Sequence, residues 1–209
     1  MRVLVACEES QAVTIAFRAA GHEAYSCDIK PCSGGHPEWH YERDVFEVIN
    51  FGWDMMIAHP DCTYLCNSGV CHLDTDPGRW KKLFAAADFF VRLMDADIPK
   101  ICIENPIPHK YALRLIGRKY DQLIQPYHFG HLEMKATCYW LKRLPPLVNT
   151  TDLKYQTSQL PKSESQRIHY MSPGPERATL RSRTFSGVAA EKARQWGTDL
   201  NHDLFEGIA

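Results

Sequence analysis

A thiol at position 62 and a carboxyl at position 104 are the two side chains of this sequence best set for covalent chemistry. Cys62 follows the apolar run WDMMIA, in the loop HPDC. A nucleophilic thiol needs partial exposure and a positive field that lowers its pKa. A strand-end loop gives the exposure, and helix N-termini or arginines give the field. The plain alternative is a small buried apolar residue, the usual fate of a cysteine. Glu104 follows the apolar run ICI and precedes Asn105-Pro106. A carboxyl against a core strand is rare unless it is paired or working. Burial would raise its pKa so that it donates a proton near neutrality. The alternative is a buried structural salt bridge.

Other polar residues fall at the ends of apolar runs, where ligands of open α/β sheets bind. They are Cys7, Glu8, Glu9 and Ser10, then Asp28, Asp44, and His59-Pro60-Asp61. Asp28 ends the second run, about twenty residues after the first turn, where an acid can take both ribose hydroxyls of an adenosine cofactor. It can also be an ordinary turn residue. Asp44 opens the next helical stretch and can receive an adenine amino group or serve as an N-cap. The chain has no Gly-rich phosphate loop and no Walker signature, which argues against nucleoside triphosphate hydrolysis.

These residues need elements to position them. Residues 1–6 form a strand-type run, 10–20 have helical spacing with Val13, Ala16, Phe17 and Ala20 on one face, and 23–29 form a second strand. That βαβ pattern opens a doubly wound, mostly parallel α/β sheet of Rossmann-like kind. Residues 31–40 read as a loop, 44–50 as a short helix and 53–58 as a strand. The longest helical pattern is 79–96, with Leu83, Ala86, Ala87, Phe90 and Leu93 inward. Residues 100–103, 121–127 and 135–141 read as strands, and 186–196 as a last helix. Residues 148–181 are polar, without clear periodicity. The expected division is 1–140 as the catalytic and cofactor-binding domain, 141–180 as a small irregular or β-rich insertion facing substrate, and 181–209 as a helix returning to the first domain.

Composition sets the remaining bounds. Apolar residues are 44% and charged residues 23% of 209, as in ordinary globular chains. No apolar run approaches the ~20 residues of a membrane span, and the N-terminus does not read as a signal peptide. The chain therefore reads as cytoplasmic, with no membrane partner and eight reduced cysteines. The net charge of −1 divides unevenly: −7 over residues 1–104, +8 over 105–183 and −2 over 184–209. The basic segment can be a face that meets phosphate or an accident of surface composition.

The order of these residues resembles the cytosine-5 DNA methyltransferase family. That family has a Pro-Cys loop after its fourth strand and a Glu-Asn-Val segment after its fifth; HPDC and IENP hold those places here. Asp28-Ile29 resembles its ribose-binding acid and the neighbour beside adenine. Asp44-Val45 resembles its adenine-binding acid and neighbour. FSGVAAEKARQWG, with Gly187, resembles its returning helix, and RSRT, with Arg181 and Arg183, its paired-arginine strand. As a whole the chain is similar to small phage-type members with a reduced target-recognition region.

The resemblance implies a class I methyltransferase fold and S-adenosyl-L-methionine as cofactor. The cofactor would be held by Cys7, Glu8, Glu9, Ser10, Asp28, Ile29, Asp44, Val45, His59, Pro60 and Gly187. It implies attack by Cys62 on carbon 6 of cytosine in DNA. Protonated Glu104 would hold ring nitrogen 3, Asn105 would position Cys62 or the loop, and Arg181, Arg183 and Lys135 would hold phosphate. Two departures are visible. ACEESQAV stands where the family has a Gly-rich turn, and Asp61 separates Pro60 from Cys62.

Three rival readings remain open. Cys62, Cys66, Cys71 and His72, or Cys27, Cys32, His36 and His40, could hold zinc, although neither group has a Cys-x-x-Cys knuckle. The chain could be a catalytically inactive nucleic-acid-binding protein. It could instead methylate a free cytosine nucleotide. The sequence does not fix an oligomeric state.

Overall fold

In the computed structural model the described residues are 1–172 and 174–198; of residues 69, 175, 176, 178 and 179 only the backbone is described. Residues 199–209 of the expected C-terminal segment lie outside the described residues. The first unit is β1 (Arg2–Ala6), α1 (Ala12–Ala19) and β2 (Glu23–Asp28). Next come β3 (His40–Glu42), β4 (Met55–Ala58), α2 (Pro77–Met94) and β5 (Lys100–Pro106). They are followed by α3 (Lys110–Ile116), β6 (Gln122–Ile124) and β7 (Thr137–Lys142). Four short helices follow: α4 (Lys154–Gln159), α5 (Lys162–Ser165), α6 (Arg167–Tyr170) and α7 (Pro175–Ser182). α8 (Ser186–Gly197) is the last described element.

The strands form one sheet in the order β3-β2-β1-β4-β5-β7-β6. Pairs from β3 to β5 are parallel, and β7 runs antiparallel to both β5 and β6. This is the expected doubly wound, mostly parallel arrangement. The chain moves outward from β1 to β3, then returns to β4 on the other side of β1. The switch in direction leaves a crevice beyond the ends of β1 and β4, where such sheets bind ligands.

β1 from Val3 onward and all of β4 are apolar because both of their faces are covered. Leu4, Ala6, Met56 and Ala58 face the α2 and α3 layer. Val3, Val5, Met55 and Ile57 face the α1 and α8 layer. α2 begins where the Asp76 side chain accepts the Gly78 N–H at 3.0 Å and Pro77 fills the first turn. Its buried residues are Leu83, Ala87, Phe90 and Leu93. α8 buries Val188, Ala189, Lys192, Ala193 and Trp196, so a lysine sits inside an apolar stripe.

Several elements differ from the sequence reading. The expected loop 31–40 contains a 3-10 turn, Pro37–Trp39, and ends where β3 begins. β3 pairs with β2 from Ser26↔His40 to Asp28↔Glu42, so backbone pairing makes a strand that three residues could not announce. The expected strand 121–127 stops at Ile124; a 3-10 turn, Pro126–Phe129, takes over because Pro126 cannot donate to a ladder. α3 was not foreseen. Residues 148–181 hold α4–α7, and no strand follows Lys142 among the described residues. β5 runs three residues past its expected end, so Glu104 and Asn105 lie within the strand, opposite Tyr139 and Cys138. No helix among the described residues is long and apolar enough to cross a membrane.

Candidate active site

Beyond β1 the chain turns without glycine. Cys7 and Gln11 take left-handed backbones, φ 58° and 56°, at a cost of about 1–3 kcal/mol each. Side chains hold this turn in place. Gln11 Nε2 donates to the His36 carbonyl at 2.8 Å, and Gln11 Oε1 accepts the His36 N–H at 3.1 Å. The Glu8 carboxylate is buried and accepts Val13 N at 2.7 Å, Thr14 N at 3.2 Å and Thr14 Oγ1 at 2.8 Å. Its two oxygens close the N-terminus of α1, and that explains an acid in this loop. Glu9 accepts the Ser33 hydroxyl, and its carbonyl accepts Ser33 N at 2.8 Å. Ser10 is buried, and its carbonyl oxygen lies against Gly34, where a Cβ would not fit. Glu8, Glu9 and Ser10 thus shape the crevice from behind.

The open side of the crevice is acidic. Asp28 ends β2 and accepts Lys30 N at 3.0 Å; Ile29 beside it is 77% exposed. Asp44 caps the next turn by accepting Phe46 N at 2.9 Å, so its N-cap reading holds, and Val45 is buried in the core. Burial raises the Cys7 thiol pKa, and Asp28, Asp44 and Asp61 push it further up. Cys7 thus lies within electrostatic reach of acids from β2, the Asp44 turn and the thiol loop. This set suits a ligand with vicinal hydroxyls, an amino-bearing ring and a positive charge. An apolar side chain at Ile29, left in water, offers a face for that ring.

The thiol loop is stitched to the segment after β5. Asn67 N donates to Ile107 O at 3.1 Å, His109 N to Leu65 O at 3.0 Å, and His109 Nε2 lies 2.9 Å from Tyr64 O. Pro60 is buried, Cys62 is half-buried, and Cys66 is 7% exposed. Leu65 N and Cys66 N both donate to Cys62 O at 3.0 Å. This turn places the two thiols near enough to act on each other's ionisation: Cys66, then burial, raises the Cys62 pKa. Cys62, with the Ser68 hydroxyl at 3.0 Å and the Ser68 N–H, lowers the Cys66 pKa despite burial.

Glu104 differs from its sequence expectation. Its carboxylate is paired with the ammonium of Lys192, which is fully buried. Burial pushes the Glu104 carboxyl up, but Lys192, His59 and Lys135 outweigh it, and the net shift is downward. The carboxyl is therefore ionised at neutral pH and is not the protonated acid expected; the salt-bridge alternative describes it. Lys192 also lies 5.2 Å above the Tyr139 ring. Asn105 points to the opposite face: its Nδ2 donates to Pro106 O at 2.6 Å, and its buried Oδ1 has no partner among the described residues.

His59 Nδ1 is 3.7 Å from Glu104 Oε1, and its buried Nε2 is unpartnered among the described residues. Burial lowers the His59 pKa to about 4 from 6.5, against the pull of Glu104. A histidine neutral in the native state and protonated when unfolded weakens the fold as pH drops from about 6.5 to about 4. The loss is about 3 kcal/mol in all. Urea unfolding across that range should show a steeper acid limb for the native chain than for His59→Gln. Equal limbs would mean that His59 titrates normally.

A basic side completes the site. Lys135 Nζ donates to the Arg183 carbonyl at 3.2 Å and lies 5.8 Å from the Phe185 ring. Burial lowers its pKa, Glu104 and Cys62 oppose that shift, and Lys192 and Arg181 add to it. One ammonium thus feels both the thiol and the carboxylate. Arg181 and Arg183 are exposed. Gly187 fits closely: its N–H donates to His131 Nε2 at 2.9 Å, and a Cβ would run into the Phe129 carbonyl. Its contacts are to the 3-10 turn before β7, so packing accounts for the glycine.

No protein-family model matches this chain, and no curated protein does. Solved structures do. An Entamoeba histolytica methyltransferase, EhMeth, is 16% identical over 83% of this chain and 60% of its own, with a TM-score of 0.47. The S. pombe Dnmt2 methyltransferase is 17% identical over 94% and 65%, with a TM-score of 0.44. A prophage-encoded candidate DNA modification methyltransferase from E. coli is 14% identical over 68% and 46%, with a TM-score of 0.43. The chain spans about half to two thirds of the length of these structures. At such identities the likeness is one of chain path, and the chemistry rests on the side chains above.

Three site residues escaped the sequence reading. Lys192 left a signal, a charge on the apolar stripe of α8. Cys66 was grouped only with a zinc reading. Among the described residues, no three His, Cys, Asp or Glu side chains converge as a metal ion would need. Tyr139, whose buried hydroxyl lacks a partner among the described residues, left no signal beyond strand spacing.

Proposed function

We propose that this chain is an S-adenosylmethionine-dependent methyltransferase of the cytosine-5 kind, acting on cytosine in DNA. The observation that supports it best is that the Lys135 ammonium lies within electrostatic reach of both Cys62 and Glu104, at the end of the sheet where acids gather round Cys7. Asp28 would take the ribose hydroxyls, Asp44 the adenine amino group, and Ile29 the adenine face. S-adenosylmethionine, when bound, supplies an electrophilic methyl group.

The Cys62 sulfur attacks carbon 6 of the base, which makes carbon 5 nucleophilic. Glu104, held ionised by Lys192, accepts a hydrogen bond from the 4-amino group of cytosine and fixes the ring. The positive charges of Lys192 and Lys135 offset the charge that attack places on the ring. After methyl transfer, a base, solvent water serving here, takes the carbon 5 proton as the C5–C6 double bond re-forms and the thiolate leaves. In duplex DNA the base must first leave the stack, because carbon 6 is out of reach within it. Arg181 and Arg183, exposed beside the site, would hold phosphates as the base turns in. Residues 141–180 would be the substrate-facing insertion, and its short helices limit how much sequence it reads.

Incubating the purified protein with methyl-labelled cofactor tests this. Label should enter cytosine of double- or single-stranded DNA and remain after denaturation. Label entering deoxycytidylate alone would move the substrate to a free nucleotide. Label entering neither would overturn the proposal.

A further inference from the structure

The thiol loop carries a charged surface that the proposed chemistry does not use. Its residues Thr63 and Tyr64 meet the start of α2. Arg79 donates to the Thr63 carbonyl at 3.2 Å, and its guanidinium lies 5.0 Å over the Tyr64 ring. Lys82, about one turn on, lies 5.8 Å from the same ring. His109 Nε2 is 2.9 Å from the Tyr64 carbonyl, so α3 begins at the same place. There Lys110 lies 4.9 Å over the Tyr111 ring, and Tyr111 packs edge-on against Trp80 of α2 at 5.2 Å. The loop and the two helix starts thus share one surface, which begins next to Cys62 in the chain.

Folding alone does not call for cations here. The first turn of α2 holds no acid; Arg79 stands in it, and Lys81 and Lys82 follow. Cations near a helix N-terminus oppose the helix dipole, but to an anion outside the two attractions add. The nearby acids are turned onto backbone. Asp76 Oδ1 accepts Gly78 N at 3.0 Å, and Asp61 Oδ1 accepts Thr63 N at 2.9 Å and Thr63 Oγ1 at 2.5 Å. Arg118, Arg167 and Arg194 have acidic partners in Asp121, Glu133 and Glu191. Lys82 and Lys110 have no carboxylate partner among the described residues; they rest on rings. A ring holds a cation without cancelling its charge.

We propose that Arg79, Lys82 and Lys110 bind phosphates of the DNA strand whose base reaches Cys62. This rests on the reading of DNA as substrate and gives it a second hold. Arg181 and Arg183 reach the site through Lys135. The surface on α2 and α3 reaches it through Thr63 and Tyr64. The Arg79 guanidinium is already fixed by Thr63 and Tyr64, so it loses little freedom when a phosphate arrives. These contacts carry no sequence information; they hold the strand in position while the base leaves the stack.

The test is the salt dependence of binding to a fluorescently labelled duplex, read by anisotropy from about 50 to 200 mM salt. Each phosphate contact contributes about 0.9 to the slope of log affinity against log salt. Lys82 and Lys110 are both exposed, and Lys82→Gln/Lys110→Gln should make the slope shallower by about 2. Binding at about 0.1 M salt should weaken by at least about tenfold. Lys119→Gln/Arg194→Gln removes the same charge from the segment before β6 and the last turn of α8, and should keep the native slope. Equal slopes in all three chains, or no binding by the native chain, overturn the surface. An equal loss in both double variants also overturns it, because net charge alone then attracts the duplex. If the slope changes as stated but no methyl group enters DNA, the surface stands and the proposed function falls. If methyl transfer to DNA occurs with equal slopes, the surface alone falls.

Discussion

Lys192→Met should cost about 3–5 kcal/mol of stability. The methionine still fills the space on α8, so the loss measures charge, not volume. Glu104 is 9% exposed and would be left with His59, held neutral by burial, and Lys135 as its remaining partners. A buried carboxylate without its main cation protonates to avoid that state. In the native chain the lowered Glu104 pKa contributes stability above the unfolded carboxyl value. That contribution disappears as pH falls through the lower folded value. In Lys192→Met it should disappear at higher pH, and acid unfolding should begin earlier. Adding Glu104→Gln should restore most of the loss, because no lone charge is then buried. Urea unfolding of the native chain, Lys192→Met, Glu104→Gln and the double variant measures this. A single variant within about 1 kcal/mol of the native chain would mean that the pair is solvated.

Cys62→Ser should lower methyl transfer by at least about a thousandfold, roughly 4 kcal/mol of barrier. A serine hydroxyl fits the volume but ionises far less readily than a thiol. Cofactor affinity should change by less than about threefold, since the acids of the crevice are untouched. Calorimetric titration with cofactor and a single-turnover rate separate the two quantities. Loss of cofactor binding together with rate would mean that position 62 shapes the crevice and does not attack.

Local pattern reveals some elements and not others. β1, α1, β2, α2 and α8 were legible because their apolar spacing meets a core on every turn. β3 was not, because three residues, none of them buried, gain strand form only from pairing with β2. α3 is seven residues long, and its start depends on His109 Nδ1 accepting Ala112 N at 3.1 Å, a cap few would expect of histidine. The candidate site divided in the same way. Cys62, Glu104, Asp28 and Asp44 were visible because they end apolar runs. Their electrostatics were not visible. Lys192 is 88 residues from Glu104 and on another layer, so nothing near Glu104 in the chain announced an ionised carboxyl. Glu8 looked like a ligand acid and proved to be the cap of α1, a role set by where the turn aims it.

The most direct measurement is a covalent trap with DNA carrying 5-fluorocytosine. Fluorine cannot leave as a cation, so a sulfur that has attacked carbon 6 stays bonded once the methyl group is in place. With cofactor present, the native chain should run as a denaturation-resistant protein–DNA species whose cross-linked peptide contains Cys62. Cys62→Ser should give none. A cross-link of equal yield in Cys62→Ser, or one mapped to another residue, would contradict the account.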